Sequence, residues 1–205
     1  MHINWKLREI DFKIVYYGPP LSGKTTNLEQ IHKRMAGKGK SELVSLKADG
    51  DRTLFFDFLP LEVGQIGGLK PRFNLYTVPG QSIYRATRRL ILEDVDGLAF
   101  VADSQQSRMA DNERSLREMK RHLQSFGYRW YEIPLVLQYN KRDLRNRVPE
   151  LVLQSRLNPD DALPHFTSVA IEGEGVIKTL KHMINMVLAQ AQKQLLSPTG
   201  SSIRR

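Results

Sequence analysis

A three-layer α/β sandwich around a mostly parallel six-stranded sheet, with helices on both faces, is the fold that three features of this 205-residue sequence predict. Short β-branched and aromatic stretches alternate with stretches whose apolar residues recur every three or four positions. Gly97-Leu98-Ala99-Phe100-Val101-Ala102 is an uninterrupted apolar run, which suits a strand buried on both faces. Gly18 to Thr25 reads Gly-Pro-Pro-Leu-Ser-Gly-Lys-Thr and fits G-x-x-x-x-G-K-[ST] between a strand and a helix. In such a sheet ligands sit at the carboxyl ends of the strands.

In chain order, residues 1–11 read as a polar lead-in, 12–196 as one domain and 197–205 as a flexible tail. Phe12 to Tyr17 is the first strand. A helix follows from Thr25 to about Met35, closed by the glycine turn Lys38-Gly39-Lys40. Leu43 to Leu46 reads as a short strand or extended loop, and Lys47 to Thr53 as a polar, mobile loop. Leu54 to Leu59 and Arg72 to Val78 are strands whose connection, carrying Gly64, Gly67 and Gly68, is short enough to favour an antiparallel pair. After the apolar strand, a helix over 108–126 turns Leu116, Met119, Leu123 and Phe126 inward. Ile133 to Gln138 and His165 to Ala170 are the last two strands. The closing helix carries Val176, Leu180, Met183, Ile184, Val187, Leu188 and Ala191 on one face.

Composition narrows the chemistry. With no cysteine there is no disulfide framework, thiolate zinc site, cysteine nucleophile, prenylation or palmitoylation. Met1-His2 in place of Met-Gly excludes N-myristoylation, so no lipid anchor is expected. No apolar run approaches the ~20 residues of a membrane span and no leader precedes the first strand, so a cytoplasmic protein is expected. Lys and Arg outnumber Asp and Glu by 31 to 22, a formal charge of +9. The basic residues are scattered in small clusters without interleaved aromatics, which reads as solvated faces and gives no specific nucleic-acid site.

The candidate chemistry lies in two places. Gly18 and Gly23 let the backbone turn tightly, so that successive N–H groups and the helix start, over Leu21, Ser22, Gly23 and Thr26, converge on phosphate oxygens. Lys24 would reach the β- and γ-phosphates and the Thr25 hydroxyl would bind Mg²⁺. About 120 residues later, at the end of a strand, stands Asn140-Lys141-Arg142-Asp143. The Asp143 carboxylate can accept from the N1–H and 2-amino group of guanine, which adenine cannot supply. Two such charge-assisted bonds give about 3–6 kcal/mol of preference. Asn140 would tie the loops together and contact the base edge, with the Lys141 stem over the ring.

This order of motifs resembles the small Ras-like GTPases with their P-loop fold. Leu54-Phe-Phe-Asp-Phe-Leu-Pro60 followed by Tyr76-Thr-Val-Pro-Gly-Gln81 is similar to their bacterial MglA-like branch, over about residues 8 to 192. The resemblance implies a GTP/GDP switch with Mg²⁺ that hydrolyses GTP. It implies control of polarity or gliding-motility machinery, recruitment to a cell pole, and an MglB-like roadblock GTPase-activating partner beside downstream effectors. It makes Thr53 a γ-phosphate and Mg²⁺ sensor, Gly80 a γ-phosphate donor and Gln81 the residue that orients the attacking water. Arg52 becomes an arginine finger acting in cis, a role worth about 10³–10⁵ in rate. Val169 and Ala170 would close over the base, with the Ala170 N–H facing the guanine oxygen. The strand over Leu54 to Leu59 would slide on switching.

Two departures bear on hydrolysis. Thr77-Val-Pro-Gly80 stands where most relatives have Asp-x-x-Gly, so Thr25, Thr53 and phosphate oxygens are left to hold Mg²⁺. Pro20 occupies a position usually held by glycine; it lacks an N–H and adds bulk near the γ-phosphate. A GTP-sensing adaptor with weak or no hydrolysis is therefore the alternative reading.

Overall fold

The computed structural model describes residues 1–35, 44–46, 56–62, 68–79 and 85–196. Among these, eight strands form one sheet. They are β1 (His2–Asn4), β2 (Glu9–Tyr17), β3 (Val44–Leu46), β4 (Phe56–Glu62), β5 (Lys70–Thr77), β6 (Gly97–Asp103), β7 (Leu135–Asn140) and β8 (His165–Thr167). The order across the sheet is β3-β4-β5-β2-β6-β7-β8, with β1 on β2. Pairs β5·β2, β2·β6, β6·β7 and β7·β8 are parallel. The β4·β5 pair is antiparallel with Phe58 opposite Tyr76, as the short connection predicts.

The count exceeds six for two reasons. Val44–Leu46 pairs antiparallel with β4 and is a strand. The polar lead-in contains β1, whose Ile3 lies opposite Ile10. Since β2 gives one edge to β5 and pairs with β6 only from Ile14 to Tyr17, β1 fills the remaining edge. Strand β2 accordingly starts at Glu9, three residues ahead of the expected domain start.

Helices cover both faces. On one, α1 (Lys24–Met35) and α5 (Val176–Leu196) pack Leu28, Ile31, Val176, Leu180, Met183 and Val187 on Phe12, Ile14, Phe73, Ala99, Val101 and Val136. On the other, α2 (Arg85–Leu92), α3 (Met109–Ser125) and α4 (Glu150–Leu157) bring Leu92, Leu116, Met119, Leu123, Leu153 and Leu157 against Val15, Tyr17, Leu98, Phe100 and Leu137. Alternate residues of β2 and β6 thus enter opposite layers, the two-residue period of a pleated strand. Close contact with α5 demands Gly97 at the start of β6. A Cβ there would meet Met183 Sδ and Val187 Cγ2 at 2.7 Å.

Sequence periodicity does not reveal α2 or α4. In α2 the inward positions are Arg88, Ile91 and Leu92; Arg88, from a cluster read as a solvated face, is buried and pairs with Glu118 of α3 at 2.9 Å. In α4 the exposed Leu151 and Val152 break the apolar stripe that Leu153 and Leu157 form.

Candidate functional site

The site is built where β2, β6 and β7 end, on the side of the sheet where strand order reverses around β2. The chain leaves β2 at Gly18 and enters α1 at Lys24. Gly18 has φ 151° and Gly23 φ 101°, in the region L side chains avoid. Space forbids a side chain as well: a Cβ on Gly18 would meet Val101 O at 2.2 Å, and one on Gly23 would meet Asn140 Nδ2 at 2.2 Å. Leu21 adopts φ 61° without being glycine, and its side chain is 83% exposed.

Side-chain donors hold the loop's carbonyls. Buried Lys24 donates from Nζ to Gly18 O at 3.1 Å and to Pro19 O at 2.7 Å. Arg108, from the turn before α3, donates from Nη2 to Pro20 O at 2.8 Å. Asn140, at the end of β7, donates from Nδ2 to Ser22 O at 2.8 Å. Behind the loop, buried Asn27 donates to Gly23 O at 2.8 Å and accepts from Gln138 of β7 at 3.0 Å, which locks α1 onto the sheet.

Asn140 is also the hub of the second half. Its Oδ1 accepts from Ser168 Oγ at 3.0 Å and from Ala170 N at 2.9 Å, so one amide joins Ser22 to the turn after β8. The Ala170 N–H, expected from the resemblance to face the guanine oxygen, donates here to Asn140 Oδ1. Val169 and Ala170 are both buried. Lys141, at φ 65°, pairs through Nζ with Asp103 Oδ2 at 2.7 Å. Asp103 ends β6 and is 1% exposed; its Oδ1 accepts from Gln105 N at 3.0 Å, and buried Asn112 bonds both its N–H and its carbonyl. Asp143 is exposed, two residues beyond Lys141.

Gly18, Leu21, Ser22, Gly23, Lys24, Thr25, Thr26, Asn140, Lys141, Asp143, Val169 and Ala170 thus lie at one end of the sheet. Thr25 is exposed in the first turn of α1, next to buried Lys24. Its hydroxyl is a hard oxygen donor of the type Mg²⁺ accepts. Among the described residues no group of three His, Cys, Asp or Glu could hold a metal ion. Arg52, Thr53, Gly80 and Gln81 lie outside the described residues, as do Leu54, Phe55 and the tail from 197. Sequence reasoning missed Asp103 and Arg108. The signal available for Asp103 was a lone carboxylate closing an otherwise apolar strand, and for Arg108 there was none beyond charge.

The chain is similar to proteins of one known family. A model of the ADP-ribosylation factor family matches residues 2–187. The mutual gliding-motility protein MglA of Myxococcus xanthus (strain DK1622) is 51% identical over 191 residues, covering 93% of this chain and 97% of that protein.

Proposed function

The chain belongs to the ADP-ribosylation factor family of small GTPases, in its MglA-like branch, and on that premise we propose that it is a regulatory switch cycling between GTP- and GDP-bound forms. The observation that carries this reading is the Asn140 amide, which joins Ser22 of the glycine loop to Ser168 and Ala170. A single rigid frame then holds a phosphate cradle and a base-selecting edge at fixed separation.

In this reading the N–H groups from Leu21 to Thr26 and the Lys24 ammonium hold the phosphates. Lys24 already sits across the loop, bonded to Gly18 O and Pro19 O, so little reorganisation is needed for it to meet an anion. Thr25, with Thr53, would hold Mg²⁺, which supplies charge neutralisation between phosphate oxygens. Asp143, exposed and acceptor-only, selects guanine, while the ion pair with Asp103 keeps the Lys141 stem beside the base. Gly80, Gln81 and Arg52 are the proposed γ-phosphate donor, water-orienting residue and arginine finger. Val169 and Ala170 close the base side through their backbone.

The relative's name supports a role in gliding motility, and the motif resemblance extends the proposal to cell polarity, an MglB-like roadblock protein as activating partner, further effectors downstream, and recruitment from the cytoplasm to a cell pole. Purified protein incubated with GTP and Mg²⁺, with and without the roadblock partner, tests the enzymatic claim. Phosphate release that rises with the partner supports it, and release at background in both cases removes it. The second reading, an adaptor that senses GTP and barely hydrolyses it, is favoured by Pro20, a residue without an N–H in the middle of the loop. Replacing Pro20→Gly separates the two: faster hydrolysis in the variant assigns the block to proline.

A further inference from the structure

Arg108 lies outside both motifs, yet its Nη2 donates to Pro20 O across 88 residues at 2.8 Å. Its other nitrogens are committed too: Nη1 pairs with Asp111 Oδ2 at 2.5 Å and Nε faces Asp103 Oδ2 at 3.9 Å. The guanidinium is therefore held by two carboxylates before it touches the loop. A planar fork with several donors can serve three directions at once, which an ammonium on a flexible stem does less well.

The bonded carbonyl belongs to the Pro20–Leu21 peptide. In a trans peptide the C=O and the following N–H point in opposite directions, so fixing Pro20 O fixes the aim of the Leu21 N–H. Leu21 is also the loop residue that bears a left-handed backbone with a Cβ, at φ 61°. With its side chain 83% exposed, packing does not hold it there. The restraint must come through the backbone on either side, and on the N-terminal side it comes from Arg108.

We propose that Arg108 is a positioning residue for the phosphate loop: by holding Pro20 O it keeps Leu21 in its left-handed conformation and turns the Leu21 N–H toward bound phosphate. This deepens the nucleotide-binding reading and rests on it. Lys24 restrains carbonyls 18 and 19 and Asn140 restrains carbonyl 22, so Arg108 supplies the restraint at the peptide between them. Asp103 serves both loops, since it pairs with Lys141 at 2.7 Å and also faces Arg108.

The test uses the full chain loaded with Mg²⁺ and GDP, as wild type, Arg108→Ala and Arg108→Lys, followed by ³¹P NMR and by GDP titration. In both variants the β-phosphorus resonance is expected to move while the α-phosphorus stays, and GDP affinity to fall roughly tenfold, the scale of one hydrogen bond. Resonances and affinity unchanged from wild type in both variants overturn the proposal, even if the melting temperature drops, because that pattern is a purely structural arginine. If Arg108→Ala fails to fold, Arg108→Lys alone decides between these results. Wild-type protein that binds no GDP would overturn the underlying reading and this proposal with it, a result distinct from normal binding by all three proteins.

Discussion

Between Gly18 and Ser22 the backbone carbonyls at 18, 19, 20 and 22 each accept from a side chain: Lys24 twice, Arg108 and Asn140. Between Asn140 and Asp143 the arrangement is reversed. There side chains leave a strand end, three of them tied down, Asn140 to Ser168, Lys141 to Asp103 and Arg142 to Val148 O, and the fourth, Asp143, exposed. In the proposed reading the first region works through backbone N–H groups, so its chemistry depends on geometry fixed by partners elsewhere. In the same reading the second works through one carboxylate, so its proposed selectivity resides in the identity of a side chain. Substitutions in the first should change how tightly any nucleotide is held, and substitutions in the second should change which nucleotide is held.

The largest effect is expected from Lys24→Ala, which removes the two charge-assisted bonds to phosphate proposed for it and the clasp on carbonyls 18 and 19. Affinity for GDP should fall about a hundredfold to ten-thousandfold, with two bonds at roughly 1.5–3 kcal/mol each. Titration should show a similar proportional loss for every guanine nucleotide; a loss confined to one would blur the distinction between the regions. Next in size is Asp143→Asn, which exchanges an acceptor for a donor at one position. GDP affinity should drop about a hundredfold, and a purine with a 2-oxo in place of the 2-amino group should bind better than it does to wild type. If competition assays find the order of preference unchanged, the base is selected elsewhere.

A smaller change is expected from Lys141→Met. It keeps the apolar stem but leaves buried Asp103 without its nearest cation. Two effects should appear together: a stability loss of about 1–3 kcal/mol in urea denaturation, and weaker GDP binding. Stability lost without any change in binding would show that the Asp103 frame does not reach the base side. Last comes Arg156→Ala, which breaks the exposed pair with Glu113 linking α4 to α3 at 2.5 Å. Solvent screens that pair, so thermal melting and GDP titration should both match wild type.

Much of this architecture is legible in the sequence because its signals are local. The strand–loop–helix around Gly18 to Thr25, the wholly apolar β6 and the inward stripes of α3 and α5 follow from spacing and residue type alone. So does the placement of Asn140 at a strand end, where its short, doubly polar side chain can join two loops. Boundaries are less legible: β7 begins at Leu135, after Pro134, and β8 stops at Thr167. Helix α2 hides because a buried arginine interrupts its apolar period, and α4 because Leu151 and Val152 face solvent.

By itself, then, the sequence determined which residues form the glycine loop and which carboxylate is proposed to read a base, because each is written in a contiguous run. Only the tertiary structure decided that Arg88 is buried against Glu118, that β1 fills the free edge of β2, that the Ala170 N–H faces Asn140, and that Arg108 reaches Pro20. Those pairings join segments far apart in the chain, and what brings them together is the packing of two helical layers on one sheet. No periodicity or spacing within a segment encodes it.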